Sequence, residues 1–295
     1  MSGLRLWIMA ARPRTLPAAL SPVIVGTAVA VAAIDSLRVG AFIAALLGSV
    51  FIQIGTNLAN DYSDAKRGAD AVDRLGPVRV TAAGLVAPRR VLAATWIAFG
   101  VAVAAGIYLA VIAGPVILAV GAASIVAAVL YTGGPRPYGY EGLGEVFVFV
   151  FFGLVAVNGS YFVQLERLDV LPAVLSVLVG LLTSAILIVN NVRDMDTDRR
   201  AGKRTFAVRA GRRVARLTFE GSVAASYVLL PVALLVGDGS AWGMLALLSL
   251  PLAIGPIRAL RHREDGASLN VALASTGRLL ATYSVLLSVG LLIGS

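Results

Sequence analysis

Two short stretches concentrate the side chains that could do chemistry. The first runs "NLANDYSDAKRGADAVDR" from Asn57 to Arg74, the second "NNVRDMDTDRRAGKRT" from Asn190 to Thr205. Asn60 and Asp64 are four apart, and so are Asp194 and Asp198. In a helix that spacing puts both side chains of a pair on one face, one turn apart. Asn60 to Asp194 and Asp64 to Asp198 are each 134 residues apart, so the second stretch echoes the first. Gathered around one point, these oxygens repel unless a cation lies between them, and oxygen-only donors select a hard ion such as Mg²⁺ or Mn²⁺. A helix C-terminus adds about half a negative charge, which also favours a cation. Asp61, Asp70, Asp73 and Asp196 are within sequence reach of this set, Asp61 and Asp70 as further ligands. A solvated, topology-setting loop would account for the basic residues but not for the duplicated acids.

Mg²⁺ usually bridges a few carboxylates to phosphate oxygens instead of sitting in an all-protein cage. Lys66, Arg67, Arg193, Lys203 and Arg204 adjoin the acids and suit the remaining phosphate oxygens. The combination predicts a diphosphate site with Asp64, Asp194 and Asp198 as its catalytic acids. Metal and basic groups there would stabilise a departing diphosphate as charge builds on it.

The elements that hold these stretches are apolar. Of 295 residues 58% are hydrophobic and 14% charged, with mean hydropathy +0.87; soluble domains carry about 25% charged residues. Hydrophobic runs near the length that crosses a bilayer as a helix fall at 15–34, 41–60, 91–111, 114–131, 143–164, 170–190, 214–236, 241–258 and 275–293. The fold expected is an all-α integral membrane protein of nine transmembrane helices, forming one domain over 1–295. The first run is read as a retained helix, because it is long and lacks a clear cleavage site. The net charge of +9 is assigned to topology and not to nucleic acid. With nine crossings, only Arg38 and Arg167 of the 25 lysines and arginines fall on the far side. The N-terminus is therefore expected in the cytoplasm, the C-terminus outside, and both acidic stretches on the cytoplasmic face of the cell membrane. Four helices separate the stretches, which predicts two parallel four-helix units plus one helix. The chain has no cysteine and one histidine, His262, which excludes thiolate chemistry and histidine-rich zinc sites.

"NDYSDAKRGAD" and "NNVRDMDTDRRAGKRT" resemble the two aspartate-rich motifs of the UbiA-type intramembrane prenyltransferases, and the hydropathy pattern is similar over nearly the whole chain. The resemblance implies nine helices, Mg²⁺ (two ions) and a polyprenyl diphosphate as donor. "NLANDYSDAKRGADAVDRLGPVR" and "YTGGPRPYGYEGLGE" further resemble the branch that prenylates 1,4-dihydroxy-2-naphthoate in menaquinone biosynthesis. The 4-hydroxybenzoate branch carries its third acid closer to the second, whereas here five residues separate Asp64 from Asp70. That branch implies attack of the naphthoate ring on the prenyl cation, loss of the ring carboxylate, and demethylmenaquinone as product. By the resemblance the loop with Tyr131 and Tyr138 helps close the site and touches the diphosphate or the acceptor. Asn57, a costly intramembrane polar residue one turn before Asp61, is the candidate for lining the acceptor pocket. Arg12 or Arg14 of "ARPRTLP" could meet the acceptor's carboxylate or anchor the first helix at lipid headgroups. Tyr140 and Glu145 are left open between site and structure. The alternatives are another aromatic acceptor, such as 4-hydroxybenzoate, and a cation-coupled transporter. The second is disfavoured because transporter acids sit near mid-membrane and these sit at one face.

Overall fold

The computed structural model describes residues 3–68, 75–76 and 78–295; Asp70 and Asp73 lie outside the described residues. All regular structure among them is helical. A short helix α1 (Gly3–Ala11) and a 3₁₀ turn (Pro13–Thr15) lead into α2 (Pro17–Ile34). Then come α3 (Val39–Lys66), α4 (Pro88–Ala113) and α5 (Val116–Leu130). Helices α6 (Gly144–Val148) and α7 (Ala156–Leu165) are joined by a π-helical segment, Phe149–Val155. After α8 (Val170–Arg200) follow α9 (Phe206–Val228), α10 (Leu230–Val236), a 3₁₀ stretch (Ala241–Ser249), α11 (Pro251–His262) and α12 (Gly266–Ile293).

Each predicted apolar run coincides with helix, but not always with one straight helix. Six helices are long and apolar enough to cross a membrane, and up to eight if two bent pairs each count as one span. The bends are 44° between α9 and α10 and 43° before α11. Pro231 and Pro251 stand in the first turns after them, where a missing N–H and a fixed φ interrupt the preceding helix. Helix α5 has 15 residues, about 22 Å, and falls short of a ~30 Å hydrocarbon core.

Burial sorts the helices. The apolar window of α8 is 72% buried and that of α2 61%, against 22% for α3 and 28% for α4. Helices α2, α8 and α12 therefore make the centre, and their side chains share one apolar core with α7 and α9. Outward-facing residues are large and oily, among them Ile97 (68% exposed), Val111 (80%) and Leu235 (79%). Surface of that kind is tolerable against lipid and not against water.

Close backbone contact sets how α8 meets the α6–α7 span. A methyl group on Gly153 would lie 2.5 Å from Gly180 Cα and 2.9 Å from the Ser176 carbonyl oxygen, both backbone atoms that cannot swing aside. Gly153→Val is accordingly expected to force the two helices apart. The loss should be about 1–3 kcal/mol, read as a lower unfolding temperature in detergent, while a Val at Gly159, which has open space beside it, should cost far less.

The echo between the two acidic stretches extends to helix ends. Helix α3 stops at Lys66 and α8 at Arg200, again 134 residues apart. Arg67 N–H donates to the Ser63 carbonyl (3.1 Å) and Gly68 to Ala65 (3.1 Å); Ala201 donates to Thr197 (3.0 Å) and Gly202 to Arg199 (3.2 Å). Gly68 and Gly202 close these ends at φ +64° and +74°, a conformation that glycine adopts without a Cβ clash. Both acidic motifs thus sit on the last turns of long helices with identical terminations.

Candidate active site

The last turns of α3 carry Asn57, Asn60, Asp61 and Asp64, all buried. Asp64 is the most heavily engaged. Its Oδ2 accepts from Arg79 Nη2 (2.7 Å) and from Lys203 Nζ (2.9 Å), and its Oδ1 from the Tyr140 hydroxyl (2.5 Å). Lys203 follows α8, so this bond joins the second acidic stretch to the first. Its ammonium also stands 4.8 Å over the Tyr140 ring, a cation–π distance. Burial and the neighbouring Asp64 carboxylate push the Tyr140 phenol above its ordinary range, keeping it a neutral donor. Asn60 Oδ1 accepts from the Thr132 hydroxyl at 2.8 Å, which ties the loop after α5 to the same helix face.

From α8, Asp198 is half-buried, and its backbone carbonyl accepts from Lys203 N–H (2.8 Å). The Tyr131 carbonyl accepts from Gly139 N–H at 3.0 Å and its ring stands 5.5 Å from that of Tyr138, which folds the loop between α5 and α6 back over the end of α5.

Other expected ligands are placed differently. Asp61 accepts backbone N–H groups from Val80 and Thr81 at 3.0 Å each. Both of its oxygens thus clamp the stretch before α4, with further lone-pair positions left on each. Arg193 is buried and turned inward. Its Nε (2.8 Å) and Nη2 (2.6 Å) grip the two oxygens of Asp194, while Nη2 also donates to Asn190 (2.8 Å) and Nη1 to Asn270 of α12 (2.9 Å). So engaged, Arg193 orients Asp194. A carboxylate held by one guanidinium fork keeps further lone-pair positions, so Asp194 remains able to ligate. Lys66, Arg67 and Arg204 are exposed. Arg67 bonds the Gly134 carbonyl and lies 5.6 Å from the Tyr140 ring centre, and Arg204 N–H donates to the Tyr140 carbonyl (2.8 Å). Glu145 Oε1 accepts from Asn191 at 2.7 Å, pinning α6 to α8. Arg79, Tyr140 and Thr132 complete the site without a spacing signal in the sequence; Arg79 is one of many basic loop residues until the fold brings it to Asp64.

Below the acids lies a cavity of about 290 Å³. One face of α3 lines it from Ala45 to Asn60, about 22 Å of helix. Its other walls come from α2, α4, α5, the Phe147–Gly159 region and α8. Tyr131, Tyr138, Phe147 and Phe151 descend along it as a ladder, with successive ring centres 5.5, 3.8 and 6.1 Å apart. Asn57 lines it too, and so does Arg12, whereas Arg14 is exposed and does not reach it. This arrangement, polar and charged at one helix end and apolar with aromatic faces beneath, suits a molecule with an anionic head and a hydrocarbon tail.

The model of the UbiA prenyltransferase family matches residues 19–287. The chain belongs to that family. A Mycobacterium leprae protein named 1,4-dihydroxy-2-naphthoate octaprenyltransferase is 41% identical over 97% of this chain and 95% of its own length. The protein of that name from Mycobacterium tuberculosis is 40% identical over 100% and 99%, and the one from Escherichia coli 37% identical over 94% and 91%. Among solved structures, a UbiA homologue from Aeropyrum pernix superposes with TM-score 0.70 at 15% identity, over 93% of this chain and 97% of that one. A homologue from Archaeoglobus fulgidus bound to DMAPP and Mg²⁺ superposes with TM-score 0.63 at 14% identity, over 96% and 99%. At such identities the structures establish the UbiA fold.

The donors at the site fit a hard divalent ion. They are carboxylate and carboxamide oxygens, cysteine is absent, and His262 is exposed at the end of α11. No closed cluster of three or more acids, histidines or cysteines occurs among the described residues. An ion that shares its shell between a few protein oxygens and a phosphate does not need one.

Proposed function

We propose that this UbiA-family chain transfers a polyprenyl group from polyprenyl diphosphate to 1,4-dihydroxy-2-naphthoate, with loss of the acceptor's carboxylate as CO₂, on the route to demethylmenaquinone. The observation that carries the chemistry is the Lys203–Asp64 bond, which joins the two acidic motifs at the mouth of an apolar cavity. The acceptor follows from the relatives of that name, aligned with nearly the whole chain.

Asn60, Asp64, Asp194 and Asp198 would hold Mg²⁺, as two ions, and when bound it supplies charge stabilisation to the departing diphosphate. Lys203 and Arg79 flank Asp64 and are placed to take diphosphate oxygens; Lys66, Arg67 and Arg204 stand outside them at the cytoplasmic rim. The allylic C–O bond breaks with its electron pair going to the diphosphate. The ladder of Tyr131, Tyr138, Phe147 and Phe151 presents π faces to the allylic cation, an attraction that strengthens when water is excluded. The naphthoate ring carbon that bears the carboxylate then attacks the cation; its bond to the carboxylate breaks, CO₂ leaves, and the electron pair of that bond returns to the ring and restores aromaticity. Asn57, Tyr131 and Tyr138 line the acceptor's side.

The topology we infer has nine crossings, with α5 as a short one and each bent pair as one. The N-terminus and both acidic motifs face the cytoplasm, the C-terminus faces outside, and two parallel four-helix units follow a single extra helix. The matching terminations of α3 and α8 support the repeat, and the distribution of Lys and Arg supports the orientation.

The test is purified protein with carboxyl-labelled dihydroxynaphthoate and a prenyl diphosphate, with and without Mg²⁺. Labelled CO₂ should appear in step with prenylated product, and only with metal. Product that keeps the label, or turnover of hydroxybenzoate in preference, would overturn the acceptor assignment.

A further inference from the structure

Arg12 is the one formally charged residue lining the cavity among the described residues. An ionisable residue on such a lining, beside Thr15, Gln53 and Asn57, is a candidate for function. Its backbone is also unusual. Arg12 has φ +54° and ψ +68°, in the left-handed region, and it precedes Pro13. The other non-glycine residues with positive φ among the described residues are acidic: Asp35, Glu166 and Asp238. Non-glycine residues hold such conformations only where their surroundings over-determine them.

Those surroundings are specific. Thr15 donates to the Arg12 carbonyl from both its backbone N–H and its hydroxyl, each at 3.0 Å. From α3, Asn57 donates to the Ala11 carbonyl (3.0 Å) and to the Thr15 hydroxyl (3.3 Å), and Gln53 donates to that hydroxyl (3.1 Å). Two buried carboxamides on the cavity face of α3 are thus spent on fixing this turn. On the opposite side, a Cβ at Gly277 would stand 3.1 Å from the Arg14 carbonyl oxygen, so α12 backs the turn closely. The turn sends Arg12 into the cavity and leaves Arg14 exposed.

We infer that Arg12 is the acceptor-recognition residue, pairing with the ring carboxylate of the aromatic acceptor. The inference rests on the prenyl-transfer reading above. Of the two anionic groups that reading requires, the diphosphate is met by Lys203 and Arg79 around Asp64. The carboxylate is the second, and Arg12 is the cation on the cavity lining whose planar fork matches it bidentately. Gln53 and Asn57 are positioning residues that act through the turn.

The experiment compares wild type, Arg12→Gln, Arg12→Lys and Arg12→Gly. Each is assayed with dihydroxynaphthoate and with 1,4-dihydroxynaphthalene, the same ring without the carboxylate. Arg12→Gln should raise KM for dihydroxynaphthoate about 10- to 100-fold, the range for losing a charge-assisted hydrogen-bonded pair. KM for the prenyl diphosphate should stay within about 3-fold, a smaller change than loss of one such bond gives. The preference for the carboxylated acceptor should collapse, with Arg12→Lys recovering part of it. Arg12→Gly relaxes the left-handed backbone, so it should unfold no earlier than wild type yet bind the acceptor as poorly as Arg12→Gln. A residue that merely braced the turn would lose stability and spare acceptor preference. Unchanged KM for the naphthoate, or a rise confined to the prenyl diphosphate, would overturn the assignment. Wild-type protein inactive on dihydroxynaphthoate would instead overturn the underlying reaction.

Discussion

Asp64→Asn is expected to lower kcat for prenyl transfer by about 10²–10³-fold, the scale on which a directed electrostatic interaction at a reacting centre is lost. Its side chain is 1% exposed and accepts from Arg79, Lys203 and Tyr140 together. The substitution keeps shape and one acceptor oxygen but removes the charge that these donors, and a bound Mg²⁺, answer. Two buried cations then face one another without their anion, so some stability is lost as well, and an unfolding temperature must be read beside the rate. The two effects separate by titration: a lost ligand shifts the Mg²⁺ dependence to higher concentration, whereas a destabilised fold does not respond in that way. Wild-type turnover at low Mg²⁺ in the variant would remove Asp64 from the metal site.

The second large effect is expected at Lys203. Lys203→Met deletes the ammonium that reaches from the end of α8 to Asp64 while keeping a flexible apolar stem against Tyr140. kcat/KM for the prenyl diphosphate should fall about 100-fold, as for loss of a charge-assisted hydrogen bond in a water-poor site. Because Lys203 and Asp64 touch, the double variant should lose less than the two single losses combined. Arg204→Ala supplies the contrast. Arg204 is exposed and enters the site through its backbone N–H to Tyr140, which alanine preserves; its effect should be slight, as for exposed ion pairs generally. Equal losses at Lys203 and Arg204 would mean that a diffuse positive rim, not one buried contact, binds the diphosphate.

These two residues were legible in the sequence to different degrees. Asp64 stands out because a helix repeats every 3.6 residues, so Asn60 and Asp64 must share a face wherever that helix goes. Lys203 was one of five basic residues given the same role, and only the loop's path separated it from Lys66, Arg67 and Arg204. Arg79 had no such signal. Positive charge in cytoplasmic loops is selected by sign and number more than by position, and nothing local distinguishes the arginine that will be buried. Asp61 shows the complementary case: nothing in its sequence neighbourhood shows that the chain returns over it and brings Val80 and Thr81 N–H to its two oxygens.

By itself the sequence determined the apolar helices, the side of each that bears acids, and the pairing of the two acidic motifs. These are local or periodic properties: transfer of side chains out of water sets the spans, helix geometry sets the face, and a fixed offset sets the echo, down to the glycine that ends each helix. Only the tertiary structure decided which carboxylate oxygen meets which cation, that Arg193 turns inward onto Asp194, and that Arg12 instead of Arg14 enters the cavity. Those choices depend on contacts between residues far apart in the chain, such as Asn57 with Ala11 and Lys203 with Asp64. Such contacts exist only once the helices have packed, and hydrogen bonding then leaves each buried polar group few partners to choose from.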